Sequence, residues 1–238
     1  MHLRIGGVLA IACAALTVGS SVGTANAAPT ASATGVVSNG IAFTDAAAGV
    51  GRYCTIAAVG TDSSGNKVAI SAAHCVSNEP DGTVMYRSQP DGTAGQALGT
   101  IANRGWQGAT EVKDRDWLVI KLYDDAILSS NGPRARIDSI ATTPLRTFQD
   151  IVCKDGQSTG VTCGLVIAQN DSAVYNLAAI YFGDSGGAAF TRNTQWVGVN
   201  YGTEFPPGTR YLRASKILAD IEAGSNPVGK GFTITNTP

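Results

Sequence analysis

Charge, histidine and long apolar runs are all scarce in this 238-residue chain. Charged side chains make up 15% of it, against roughly 25% in ordinary soluble domains. The 17 Lys+Arg nearly cancel the 18 Asp+Glu, for a formal charge of −1. Such a balance gives no electrostatic pull toward nucleic acid or an anionic membrane surface. Beyond the N-terminal segment no stretch holds 18 uninterrupted apolar residues, so no transmembrane helix is expected there. Histidine occurs only as His2 and His74. There is no Cys-x-x-Cys and no histidine pair, which argues against a zinc site.

What the chain does have is 44% hydrophobic residues and 29 glycines. The first is enough to bury a core. The second suits many short strands joined by tight turns. At the N-terminus, Arg4 precedes an apolar run over 5–18, and small residues then end in Ala25-Asn26-Ala27. This pattern predicts a secretory signal peptide over 1–27 with an Ala-x-Ala cleavage site, and hence a secreted, extracellular protein. Cleavage there removes His2 and Cys13. His74 is then the sole histidine, and Cys54, Cys75, Cys153 and Cys163 remain. An even count in a secreted chain implies two disulfides. Three pairings are possible, and the nearest-neighbour one closes the smallest loops.

Residues 28–50, rich in Ala, Thr, Ser and Gly, read as a short pro-segment or loose N-terminal arm. From Cys54 on, β-branched and apolar runs alternate with turn residues. Strands are expected over 54–61, 67–73, 83–87, 97–102, 117–123, 160–168, 173–181, 187–191 and 195–201, the first two forming a hairpin around Asp62-Ser63-Ser64-Gly65-Asn66. Helical spacing appears only at Leu212, Ile217, Leu218 and Ile221, ending at Gly224. The tail over 225–238 has no strong pattern. The whole predicts an all-β barrel or sandwich domain over 51–224 with one terminal helix.

Three short motifs carry chemistry. In Gly183-Asp184-Ser185-Gly186-Gly187, glycines around a serine let the backbone turn tightly and let a carbonyl approach the main chain. The N–H groups of Gly183 and Ser185 can then meet a developing oxyanion. The string also fits the Gly-x-Ser-x-Gly elbow of α/β-hydrolases. There, however, the histidine follows the serine, and no histidine follows Ser185. His74 closes the apolar run Ser71-Ala72-Ala73 beside Cys75 and is the only imidazole able to act as a base. Asp116, entering the apolar run Trp117-Leu118-Val119-Ile120, is the expected acid to orient His74. Asp114 competes. It lies on the same side of an extended chain, but Lys113 and Arg115 flank it, which suits an exposed turn acid better.

Together, Ala72-Ala73-His74-Cys75, Asp116-Trp117-Leu118-Val119 and Gly183-Asp184-Ser185-Gly186-Gly187 resemble the chymotrypsin-like serine proteases, whose catalytic residues run in the order His, Asp, Ser. Residues 152–164 are similar to the bacterial, α-lytic-protease-like branch. The resemblance spans roughly residues 50–224. It implies an all-β fold of two six-stranded antiparallel β-barrels, with a catalytic cleft between them and a C-terminal helix. It also implies the pairing Cys54–Cys75 and Cys153–Cys163. The activity implied is that of a secreted, monomeric serine endopeptidase acting on protein or peptide substrates. Ser185 would be nucleophile, His74 general acid/base and Asp116 the residue that fixes its tautomer. Gly183 and Ser185 would supply the oxyanion donors, with no metal or organic cofactor. An esterase using the same triad, or a protease-like binding protein without turnover, would share these motifs.

The chain also departs from its relatives. It has no Ile-Val-Gly-Gly activation sequence, leaving Ile41 after Gly40 as a weak substitute. Tyr181 stands where many relatives have a cysteine. Ala179 stands where trypsin-like relatives place an acid at the pocket floor, which implies a preference for uncharged residues before the scissile bond. Lys154 follows Cys153, where α-lytic-type relatives carry an arginine. It is expected to pair with Asp184.

Overall fold

Short extended runs broken by turn residues give seventeen strands and one α-helix in the computed structural model, which describes residues 35–45, 53–108, 110–204 and 208–238. The expected signal peptide lies outside the described residues. The strands of the first half are β1 Gly35–Ser38, β2 Ala42–Asp45, β3 Cys54–Thr55, β4 Ala58–Thr61, β5 Lys67–Ser71, β6 Val84–Ser88, β7 Ala94–Arg104, β8 Leu118–Leu122 and β9 Ala126–Ser129. Those of the second half are β10 Ser139–Ile140, β11 Ile151–Gly156, β12 Gly160–Gln169, β13 Ala173–Asn176, β14 Ala188–Phe190, β15 Gln195–Glu204 and β16 Gly208–Arg213. The helix α1 Ala214–Ala223 and β17 Thr233–Ile234 follow.

The second half closes into a barrel. Its ladder runs β15-β14-β11-β12-β13-β16, and β16 pairs back onto β15, so six strands form a ring. Closure requires the long strands to bend. β12 does so at a register shift between Val166 and Ala168, and β15 at one between Asn200 and Gly202. The first half is an open ladder, β17-β4-β5-β8-β7-β6-β2-β3. Its two sides join through the chain itself, because β3 and β4 are consecutive pieces of one segment. In that segment the Ile56 N–H donates to Ile41 and the Ala57 N–H to Ile70. The fold is thus the two-barrel arrangement expected, with one barrel closed by pairing and the other a half-barrel.

Each sheet buries its own apolar face. Val37, Phe43, Ile56, Met85, Leu98, Leu118 and Ile120 fill the first. Val152, Val166, Val174, Val197 and Tyr211 fill the second. A third cluster, including Ile70, Trp117, Trp196, Leu212, Ile217 and Phe232, packs α1 and the tail beneath both.

Three sequence expectations need revision. The segment read as a loose arm supplies β1 and β2 over residues 35–45, with Val37, Ile41 and Phe43 buried. Its Ala/Thr/Ser composition hid these few core side chains. The tail read as patternless returns to the first sheet as β17 on β4, burying Phe232, and the Ser130 N–H donates to the Thr237 carbonyl. Residues 42–45 and 233–234, drawn as parts of an arm and a tail, thus pair with strands of the first sheet. Finally, Leu212 belongs to β16 rather than to the helix. Ile217 and Ile221 are the buried face of α1, and the Gly224 N–H caps it by donating to Asp220 and Ile221.

Candidate active site

Antiparallel pairing of β5 and β8 brings His74 and Asp116 together. Ser71 at the end of β5 is paired with Leu118 at the start of β8. The chain leaving β5 and the chain entering β8 therefore sit at the same end of the ladder. His74 lies in the 3₁₀ turn Ala73–Val76 just after β5, and Asp116 follows the turn Lys113–Arg115 just before β8. Asp116 is fully buried and uses both oxygens on His74. The His74 backbone N–H donates to Oδ1 at 2.8 Å, and Nδ1 lies 2.7 Å from Oδ2. The Trp106 indole reaches Oδ1 at 3.4 Å. Burial pulls the His74 imidazole down, but the hydrogen bond and charge of Asp116, with the charge of Glu111, outweigh it. The ring ends above its ordinary value.

Asp114 is placed elsewhere. Its side chain is exposed and pairs with Arg210. Arg210 is buried, lies 3.1 Å from Glu204 and stacks 5.0 Å over the Tyr201 ring. Glu204 is held in turn by Lys113 at 2.7 Å. The His74–Tyr201 ring centroids are 5.9 Å apart, edge to face.

Ser185 sits on the turn before β14. Gly183 has φ +93° and Gly186 φ +79°, the left-handed region where side chains are strained. A Cβ on Gly183 would stand 2.4 Å from Tyr53 Cε2, and one on Gly186 would stand 2.0 Å from Ser71 Oγ. Only glycine fits at either position. Neighbouring backbone bonds hold the turn. Thr55 N–H donates to Ser185 O at 2.8 Å, Thr55 Oγ1 donates to Gly183 O at 2.8 Å, and Gly186 N–H donates to Asn200 O at 2.8 Å. The N–H groups of Gly183 and Ser185 donate to nothing among the described residues. Ser185 Oγ likewise makes no hydrogen bond among them. Gly183, Ser185 and His74 line one cavity of about 230 Å³. Catalytic hydrogen bonds in empty sites are often long and tighten only around substrate.

Beneath this turn lies a buried ion pair. Lys154 Nζ is 3.0 Å from Asp184 Oδ2, and neither side chain reaches solvent. Asp184 also accepts from the amides of Ser158 at 2.8 Å, Thr159 at 3.0 Å and Tyr181 at 3.0 Å, and from Thr159 Oγ1 at 2.6 Å. Burial alone would raise the Asp184 carboxyl, but these donors and Lys154 hold it below the ordinary range. Lys154 donates further to Thr159 Oγ1 and to Gly160 O.

The disulfides are Cys54–Cys75 and Cys153–Cys163. The first staples the His74 turn to β3, and the second bridges the directly paired positions of β11 and β12. Two groups offer ligand atoms close enough for a metal ion among the described residues. In one, Cys54 and Cys75 are already bonded to each other. In the other, His74, Glu111 and Asp116, ligation would displace the His74–Asp116 hydrogen bonds.

The sequence did not point to Thr55, Thr159, Tyr53 or Glu111. Each acts through contacts between segments far apart in the chain. Only a polar side chain beside a cysteine or a turn marks them in sequence.

No protein-family model and no curated protein matches the chain. Solved structures do. Thermobifida fusca protease A superposes at TM-score 0.61, with 18% identity over 85% of this chain and 100% of that one. Nocardiopsis protease gives 0.59, with 21% identity over 78% and 96%. Cellulomonas bogoriensis chymotrypsin gives 0.53, with 23% identity over 78% and 95%. The chain therefore has the fold of bacterial chymotrypsin-like serine proteases.

Proposed function

We propose that this protein is a secreted serine endopeptidase. The observation that carries the reading is the convergence of an imidazole oriented by a buried carboxylate, a serine on a glycine-enforced turn, and two unpaired N–H groups on that turn. Ser185 Oγ attacks the scissile carbonyl while His74 Nε2 takes its proton. Asp116 keeps the His74 proton on Nδ1 and stabilises the imidazolium. The N–H groups of Gly183 and Ser185 meet the oxyanion. His74 then protonates the departing amine, leaving an acyl-Ser185 ester that water cleaves by the reverse sequence.

Lys154 supplies the charge that Asp184 needs, so the turn assembles without a newly cleaved N-terminus. Ile41 supports this reading, since it is buried between Gly40 and Ala42 in an intact chain. On the acyl side of the cleft, Glu204 and Arg210 are tied to each other and to Lys113 and Asp114. Ala179 offers no charge, so uncharged residues are preferred before the scissile bond. The test is peptide hydrolysis by the purified protein and by Ser185→Ala. Hydrolysis by the parent alone supports the reading. Equal rates, or ester hydrolysis with no peptide hydrolysis, contradict it.

A further inference from the structure

The peptide group joining Phe182 to Gly183 carries the N–H assigned to the oxyanion, and few contacts hold it. A peptide group is planar, with its C=O and N–H pointing in opposite directions. Whatever grips the Phe182 C=O therefore sets the aim of the Gly183 N–H. Packing does not grip it, because Phe182 is 83% exposed. Backbone sterics do not either. Turning this peptide over changes the sign of φ at residue 183, which glycine accepts readily. The N–H would then point away from the oxyanion and the Phe182 C=O toward it. The next peptide is better secured. Gly183 O accepts from Thr55 Oγ1 at 2.8 Å, and the Asp184 N–H donates to Tyr181 O at 3.0 Å.

Among the described residues the Phe182–Gly183 peptide makes one hydrogen bond, from Ser158 Oγ to Phe182 O. A serine hydroxyl has a single proton. With that proton on Phe182 O, Ser158 Oγ is the acceptor for the Tyr53 hydroxyl 3.1 Å away. Both groups are anchored. The Ser158 N–H donates to Asp184 Oδ1 at 2.8 Å, which ties Ser158 to the same turn from beneath. Tyr53 directly precedes Cys54, which is bridged to Cys75.

We propose that Ser158, oriented by Tyr53, is a positioning residue that aims the Gly183 N–H at the oxyanion. The inference rests on the serine-protease reading given above. Ser158 acts through the peptide, so its loss should weaken the transition state more than substrate binding. The test compares a peptide ester with its thiono analogue, in which sulfur replaces the carbonyl oxygen, on one enzyme sample. Sulfur is a weak acceptor. The ratio of the two kcat/KM values therefore reads oxyanion hydrogen bonding and cancels differences in the amount of folded enzyme. Ser158→Ala should lower kcat on the oxygen ester by roughly tenfold to a hundredfold, short of the 10²–10³ for deleting a donor outright. KM should change little, and the oxygen-to-sulfur ratio should fall in step with kcat. Ser158→Thr keeps a hydroxyl and should recover much of both. Tyr53→Phe should cost about fivefold, as for one neutral hydrogen bond. The double variant Ser158→Ala/Tyr53→Phe should be no slower than Ser158→Ala, because Tyr53 acts through Ser158. An unchanged oxygen-to-sulfur ratio in Ser158→Ala, or additive losses in the double variant, overturns the clamp. A parent that hydrolyses neither ester overturns the protease reading itself, and the clamp with it.

Discussion

Replacing Lys154 with methionine tests how the nucleophile turn is held. The substitution keeps most of the buried stem and deletes one charge, leaving Asp184 fully buried. Breaking a buried ion pair by removing one partner costs about 3–5 kcal/mol. Asp184 keeps four other donors, from Ser158, Thr159 and Tyr181, so the lower end applies. A loss of about 3 kcal/mol shifts the population of the ordered turn by more than a hundredfold. For a domain of this size it lowers the melting temperature by roughly 6–12 °C. Peptide hydrolysis and thermal melts on the same samples should show both effects, and Lys154→Arg should restore much of each. A further variant, with extra residues fused ahead of Ala28, should keep parental activity. Full activity and an unchanged melt in Lys154→Met would refute the argument. So would a fusion protein that is silent until cleaved near Ile41.

Other outcomes follow from the same geometry. In the proposed mechanism His74 must be neutral to take the Ser185 proton, so kcat/KM should rise as pH climbs through the His74 value, with that limb above the ordinary imidazole position because Asp116 and Glu111 raise it. Glu111→Gln should move the limb to lower pH in a pH–rate profile; an upward shift would contradict the assignment. Asp116→Asn should lower kcat by about 10⁴ through the wrong tautomer, measured on folded protein. Gly183→Ala should lose roughly 10²–10³ in kcat as its N–H leaves the oxyanion position, because the new Cβ meets Tyr53. Peptide mapping without reduction should find Cys54–Cys75 and Cys153–Cys163 linked. The double variant Cys153→Ala/Cys163→Ala should lose about 3 kcal/mol in denaturant unfolding.

The site was more legible in sequence than the fold's edges were. His74, Asp116 and Ser185 stand in short motifs whose chemistry is local, and the strands that carry them are strongly apolar. The choice between Asp116 and Asp114 turned on flanking charge, and the reason for it is visible only in three dimensions. Asp116 enters a buried strand beside His74, while Asp114 turns outward to Arg210. β1, β2 and β17 escaped notice because each is short; β1 and β2 contribute only one or two core side chains, such as Phe43, and β17 only the partly buried Ile234. β16 was masked by Leu212, whose spacing to Ile217 and Ile221 imitates a helical face across the strand–helix junction. Glu111 carried no signal because it is a lone acid in a polar loop, and only the fold brings its carboxylate within 4.8 Å of the His74 and Asp116 ligand atoms.

The central claim is that Ser185 is an activated nucleophile served by His74. Labelling the purified protein with a fluorophosphonate, followed by mass mapping of the modified peptide, tests it most directly. The account predicts one adduct, on Ser185, with none in Ser185→Ala and a rate at least a thousandfold slower in His74→Ala. Labelling at another residue, or equal labelling of the parent and His74→Ala, would contradict it.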